Sequence, residues 1–270
     1  MKDLALTEKK ELEVLNCGAW GTIGPRSLSC AGRLAELVGA RRGLLCHSFD
    51  AAMEAVLRHF GIWHGSTIAV GAVCFPSDAL VPTLLGAEAV FLPVSDPAKG
   101  VGINVLREAF AKAVPGCVLL DVPAPADDWP LDEIAALCRE KKIPLILNAG
   151  GLFRRGWREL PLASKADAVL YSLEDGSEIA AGKGGFLATD SDEVFAGAFA
   201  FHNCGRSFGE GCSITIEGVL GGDLRVTEWT SAAAEAILDN GEFCEPAPLP
   251  LRDMPSQPLF QKACLTSTGE

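Results

Sequence analysis

The sequence predicts an α/β fold of three layers around a mostly parallel central sheet. Short runs that are apolar on both faces, such as "STIAVGAV" and "IPLILNA", alternate with amphipathic helical segments. A strand that is apolar on both faces has to be covered by helices on both sides, which is the arrangement of parallel sheets. With 49% hydrophobic and 21% charged residues in 270, the chain can bury a large core.

The alternation is regular from Ser27 onward. In "DAAMEAVLRHF", Met53, Val56, Leu57 and Phe60 recur at helical spacing, and Asp50 is available as an N-cap. The strand "STIAVGAV" follows, then a helix around Ala79 to Leu85, then the strand "AEAVFLPV". A helix is expected from Val105 to Val114, followed by the strand "GCVLLDV", the helix "LDEIAALCREKK" and the strand "IPLILNA". "DAVLYSL" and "GGFLATD" read as the last strands, and a helix from Thr227 to Leu238 closes the series. Beyond Asn240 periodicity stops, and the proline-rich stretch "FCEPAPLPLRDMPSQPLFQKACLTSTGE" reads as an extended tail packed on the domain or on a neighbour. In an open parallel sheet, ligands sit beyond the carboxyl ends of the strands. That rule directs attention to the segments after Val73, Val122, Leu147 and Leu173.

Composition removes several function classes. A formal net charge of -12 repels phosphate backbones and anionic lipid surfaces, and no basic cluster exceeds Arg41-Arg42, Lys141-Lys142 or Arg154-Arg155. No nucleic acid or membrane partner is expected. The charged opening "MKDLALTEKKELEVLN" is expected to carry no secretory or lipidation signal, so the expected location is the cytoplasm. The ten cysteines are scattered singly, mostly inside apolar runs, and are expected to be reduced core thiols. Cys46 with His47, His59 with His64, and His202 with Cys204 are the closest approaches to ligand pairs, and none forms a CxxC pair. No metal is expected.

Several ordered segments resemble the large domain of the DegT/DnrJ/EryC1/StrS family, the pyridoxal-phosphate-dependent sugar aminotransferases of fold type I. "GAWGTIGPRSLSCAGRLAELVGARRGLLCHS" is similar to the family's entry segment, and "ADDWPLDEIAALCREKKIPLILNAGG" to the stretch leading to its conserved acid. "HNCGR" resembles its Asn-His-Gly element, and "GGDLRVTEWTSAAAEAIL" its last helix, with Arg225 and Glu228 in matching places. The resemblance implies an aminotransferase-like large domain over 18–240, a tail over 241–270, and no counterpart of the family's small C-terminal domain.

Carried over position by position, the resemblance implies a site with its cofactor grip removed. The family's cofactor lysine falls on Ser177 in "YSLEDGSEIAAGKGG", and a hydroxyl cannot form an imine. The acid that pairs with the pyridinium nitrogen falls on Asn148, which carries no charge to hold that nitrogen protonated. The Gly-Thr pair that grips the phosphate falls on Phe49 and Asp50. Phenylalanine blocks the close backbone approach that glycine permits, and at an effective dielectric near 20 a carboxylate about 4 Å from a phosphate charge costs about 4 kcal/mol. Phe75 stands where the family stacks an aromatic on the ring, and Ser172 where it has a phosphate-contacting serine. Both also suit a core phenylalanine and a serine satisfying backbone, while Arg225 and Glu228 suit an ion pair or a cap. Lys183, six residues after Ser177, is a weak substitute for the missing amine and reads better as a surface lysine. A phosphate loop is excluded, because five residues separate Gly176 from Gly182 where the pattern has four, and no Ser or Thr follows Lys183.

The leading expectation is therefore a non-transaminating homologue, a binding or subunit-type protein with no cofactor, forming a homodimer or a heterodimer with a catalytic paralogue. The alternative is an active pyridoxal-phosphate enzyme, either an aminotransferase with a relocated lysine or a dehydratase-like catalyst holding the cofactor non-covalently, acting on nucleotide-linked keto sugars. A third reading is a module that uses the old pocket for a neutral or cationic small molecule.

Overall fold

The computed structural model describes residues 4–18, 20, 23–124, 126–154, 158, 160–207 and 218–261. The chain begins with α1 (Leu4–Cys17), α2 (Pro25–Leu37), β1 (Arg42–Cys46) and α3 (Phe49–His59). It continues through β2 (Thr67–Gly71), β3 (Val73–Cys74), α4 (Pro76–Leu84), β4 (Glu88–Leu92), α5 (Ile103–Lys112), β5 (Cys117–Asp121), α6 (Leu131–Lys141) and β6 (Leu145–Gly150). After a 3-10 turn at Leu162–Ser164 come β7 (Ala168–Ser172), β8 (Gly185–Thr189), α7 (Asp192–His202), α8 (Glu228–Asn240) and β9 (Arg252–Asp253). The expected α/β fold with its mostly parallel sheet is what forms. The chain divides into two units, Met1–Phe60 with Ala149–Pro248, and Gly61–Asn148 with Leu249–Glu270.

The second unit holds the parallel ladder. β2 pairs in parallel with β4 and β5, and β5 pairs in parallel with β6. Every residue of β6 is buried, and β5 is buried until Asp121 at its carboxyl end. Continuous apolar character is what such doubly covered strands require, and crossovers through α4, α5 and α6 supply the cover. The register sets Asp121 beside Asn148, so their side chains leave the same face at the ligand-binding end of the ladder. The sequence reads "STIAVGAV" as one strand, but it breaks at Ala72 into β2 and β3, and β3 pairs instead with β9 from the proline-rich stretch. Phe260 from the same stretch meets Phe91 edge-on, with ring centroids 5.2 Å apart.

In the first unit β8 runs antiparallel to both β1 and β7. Phe153, Tyr171 and Phe186 form its aromatic core, with the Phe153 and Tyr171 rings stacked at 4.9 Å. α3 packs on α7 where Gly197 leaves room for His59, since a Cβ there would fall 1.9 Å from His59 Nδ1. Asp50 is not the N-cap of α3. The helix starts at Phe49, and Ser48, one residue earlier, accepts the Ala51 amide at its hydroxyl. Asp50 lies exposed in the first turn, where its charge faces the positive end of the helix dipole.

None of the eight described cysteines forms a disulfide with another, and five of them are buried. Among the described residues no helix is long and apolar enough to cross a membrane.

Candidate functional site

The carboxyl end of the parallel ladder in the second unit carries a polar cluster inside an apolar core. Asn148, 0% exposed, donates from Nδ2 to Asp78 Oδ1 at 3.0 Å and to Asp121 Oδ1 at 2.9 Å. Asp121 Oδ2 accepts the Phe75 amide at 2.9 Å, which holds the start of α4 against the end of β5. Phe75 and Asn148, both singled out from sequence, are thus joined through an aspartate that sequence reasoning did not select. Cys74 Sγ completes the group, its sulfur and one oxygen each of Asp78 and Asp121 lying within 4.8 Å of one another. Burial raises the pKa of Asp121, against the opposing pull of hydrogen bonds with Asp78 and the Phe75 amide. Two carboxyl groups this close share a proton far more readily than they carry two charges. Burial, followed by the charges of Asp78 and Asp121, pushes the Cys74 thiol up as well.

In the first unit the segment that the resemblance sets against the family's lysine motif folds as a pinned loop between β7 and β8. Leu173 accepts the Ala181 amide, and its own amide bonds the Gly184 carbonyl at 3.0 Å, which closes the loop at its base. Ser177 is 2% exposed, and its hydroxyl accepts the Ile179 amide at 3.2 Å. Gly151 comes so close that a Cβ on it would sit 2.5 Å from Ser177 Cα. The proline-rich stretch covers this turn, with the Ala247 amide on the Gly176 carbonyl at 2.8 Å and the Cys244 amide on the Glu178 carbonyl at 2.9 Å. Buried Glu178 accepts the Arg154 amide at 2.8 Å, and the Arg154 guanidinium lies over the Phe243 ring. Ser172 Oγ is half-buried and accepts the Glu174 amide, while Lys183 is exposed.

The start of α3 meets the far end of that loop. A Cβ on Gly185 would fall 2.3 Å from the Ser48 carbonyl and 2.7 Å from Phe49 Cα, so the structure brings Phe49 and the glycine run together. The Phe49 side chain is buried. Asp50 is exposed, as is Lys183.

The matching residues near the last helix have structural work. Arg225 forms a two-point contact with Asp223, at 2.7 and 2.9 Å. Glu228, 0% exposed, accepts the amides of Arg26 and Ser27 at 2.9 Å each, which caps the first turn of α2 with a carboxylate.

His202 of the "HNCGR" element is buried in a small apolar cavity of about 30 Å³ lined by Leu45, Phe199 and Val226 among others. The carbonyls of Phe199 and Leu45 lie near the ring without closing a hydrogen bond to either nitrogen. Burial, aided by the nearby Arg225 cation, pushes its pKa down from 6.5 to about 4. A depressed histidine pKa means that the fold disfavours the protonated ring, so the associated stability is complete above pH 6.5 and is lost as the pH falls toward 4. Urea unfolding should show about 2 kcal/mol less stability from this group at pH 5 than at pH 7.5. His202→Leu should flatten that slope; an unchanged slope in the variant would contradict the assignment.

Parallel strands ending in a polar cluster in the second unit, and a glycine-rich β-loop-β segment in the first, define the class of the fold: that of the large domain of the fold type I aminotransferases, whose solved structures match it. The chain belongs to the DegT/DnrJ/EryC1/StrS aminotransferase family, whose model matches residues 3–243. It is 25% identical over 195 residues to the spore coat polysaccharide biosynthesis protein SpsC of Bacillus subtilis (strain 168), covering 71% of this chain and 49% of that protein. It is 23% identical over 230 residues to the 3-amino-5-hydroxybenzoate synthase of Amycolatopsis mediterranei (strain S699), covering 84% and 58%. Among solved structures, the Helicobacter pylori aminotransferase PseC, involved in the biosynthesis of pseudoaminic acid, matches with a TM-score of 0.75 at 19% identity, covering 87% of this chain and 62% of that one. The chain spans about half the length of the curated relatives it matches.

Sequence reasoning missed Asp78, Asp121 and Cys74. The available signal was a carboxylate closing the apolar run "GCVLLDV", next to the Val122 position already marked as a strand end. Asp78 gave no such signal, because in sequence it is only a charge in the first turn of a helix.

Proposed function

We propose that this chain is a non-transaminating member of its family, acting in the cytoplasm as a binding or subunit-type protein, as a homodimer or together with a catalytic paralogue. The single observation that carries the reading is the environment of Ser177. At the position matching the family's lysine stands a buried hydroxyl engaged with the Ile179 amide, and no amine.

The other residues at family-equivalent positions also fit pyridoxal phosphate poorly. The Asn148 amide is committed to two carboxyl groups and carries no charge of its own to hold a pyridinium nitrogen protonated. Phe49 is buried at the first turn of α3, where the family has glycine, and Asp50 adds an anion to that turn. Lys183, the substitute candidate, is exposed while Ser177 is buried.

The test is spectroscopic. Purified protein mixed with pyridoxal phosphate should give no aldimine absorbance and no borohydride-trapped adduct, and Ser177→Lys alone should not restore either, since Phe49, Asp50 and Asn148 stay in place. Stoichiometric trapping on the native chain, above all at Lys183, would sink the proposal in favour of a relocated amine.

A further inference from the structure

We infer that Cys74, Asp78 and Asp121 form a binding site for one borderline divalent cation of the zinc type. The three come from different elements, the end of β3, the first turn of α4 and the end of β5. Their ligand atoms converge to within 4.8 Å at the end of the ladder where ligands of such sheets bind. A buried carboxyl pair alone is explained by a shared proton. The thiol is what that explanation leaves over.

Cys74 is 1% exposed, and its sulfur has no hydrogen bond to any described residue. It faces two carboxyl groups, whose negative charge opposes its ionisation to a thiolate unless a cation is bound between them. Asp121 has no ion pair with a cationic side chain among the described residues; besides Asp78, its polar partners are the Asn148 side-chain amide on Oδ1 and the Phe75 backbone amide on Oδ2. A dication resolves this arrangement: it takes the thiolate and one oxygen from each carboxylate, and the thiol proton and the shared carboxyl proton leave to solvent. One soft and two hard ligands suit zinc or cobalt better than calcium or magnesium, which select all-oxygen shells. Three protein ligands leave a coordination position for water. Asp121 is only partly buried and gives the cluster an opening. The site does not depend on the lost-amine proposal, because its test contains no pyridoxal phosphate and reads different residues.

Cobalt(II) is the probe. Titrated into the reduced, chelator-treated full chain, it should bind one equivalent and develop thiolate-to-metal charge-transfer absorption in the near ultraviolet, which one equivalent of zinc should abolish. Cys74→Ser should remove the absorption, and Asp121→Asn, close in shape, should weaken binding at least tenfold. No charge-transfer band on the native chain at millimolar cobalt would overturn the inference. So would a band of native intensity in Cys74→Ser, which would put the ion on other cysteines.

Discussion

Glu228→Ala should destabilise the chain by about 3–5 kcal/mol, the range for removing one partner of a buried charged interaction. The carboxylate is 0% exposed and accepts two backbone amides of the first turn of α2, those of Arg26 and Ser27, both at 2.9 Å. Each is a charge-assisted bond worth about 1.5–3 kcal/mol. Truncation leaves the buried Ser27 amide and the half-buried Arg26 amide without their acceptor, with no side chain of Gly24 to replace it. Glycine stands at 24 because a Cβ there would fall 2.6 Å from the Glu228 carboxyl carbon. Glu228→Gln keeps one acceptor and should lose roughly half as much. Urea unfolding gives the magnitudes, and hydrogen exchange gives the location: the Arg26 and Ser27 amides should lose protection first. Equal stability of Glu228→Ala and the native chain would mean that solvent reaches this turn. The expected loss also bears on function, because Glu228 would then be explained by folding without any role at a reacting group.

The fold was legible because its signals are local. β5, β6, β7 and β8 fall within two residues of their expected bounds, since an apolar run edged by Gly, Pro or Asp has few alternatives. α7 gave no signal: "DEVFAGAFAFH" is apolar around its whole circumference, so the helical period is hidden. α1 was read only as a charged opening, and its helix acquires meaning through ion pairs with α8, such as Lys10 with Asp239 at 2.7 Å. The candidate site was legible one residue at a time and not as a group. Ser177, Asn148, Phe49 and Asp50 could each be matched to a motif, but what Asn148 touches depends on strand register and on a helix 70 positions away in sequence. Long-range partners of that kind leave no periodic trace. The covering of the Ser177 turn by Cys244 and Ala247 is of the same kind, a backbone contact made by a stretch without periodicity.

Asn148→Asp, which puts an acid where the resemblance implies one, should cost about 3–5 kcal/mol at neutral pH in chelator-treated protein. The amide now gives one proton each to Asp78 Oδ1 and Asp121 Oδ1. A carboxylate at 148 has no proton to give and adds a third acid to a pair whose burial already raises the Asp121 pKa. The introduced acid would therefore have a folded pKa above its unfolded value near 3.9. Such a group destabilises most at high pH, and the deficit shrinks as the pH falls toward the unfolded pKa. Unfolding free energies of Asn148→Asp should accordingly approach the native values between pH 7.5 and pH 4.5, while those of Asn148→Ala, which lacks the donor and adds no charge, should stay offset. Adding Asp121→Asn to Asn148→Asp should recover much of the loss, a coupling that a double-mutant cycle measures directly. If Asn148→Asp were as stable as the native chain at pH 7.5, the amide would not be holding the two carboxyl groups. If the coupling is found, the amide at 148 is embedded in its neighbours, and placing an acid there requires changes at Asp78 and Asp121 as well.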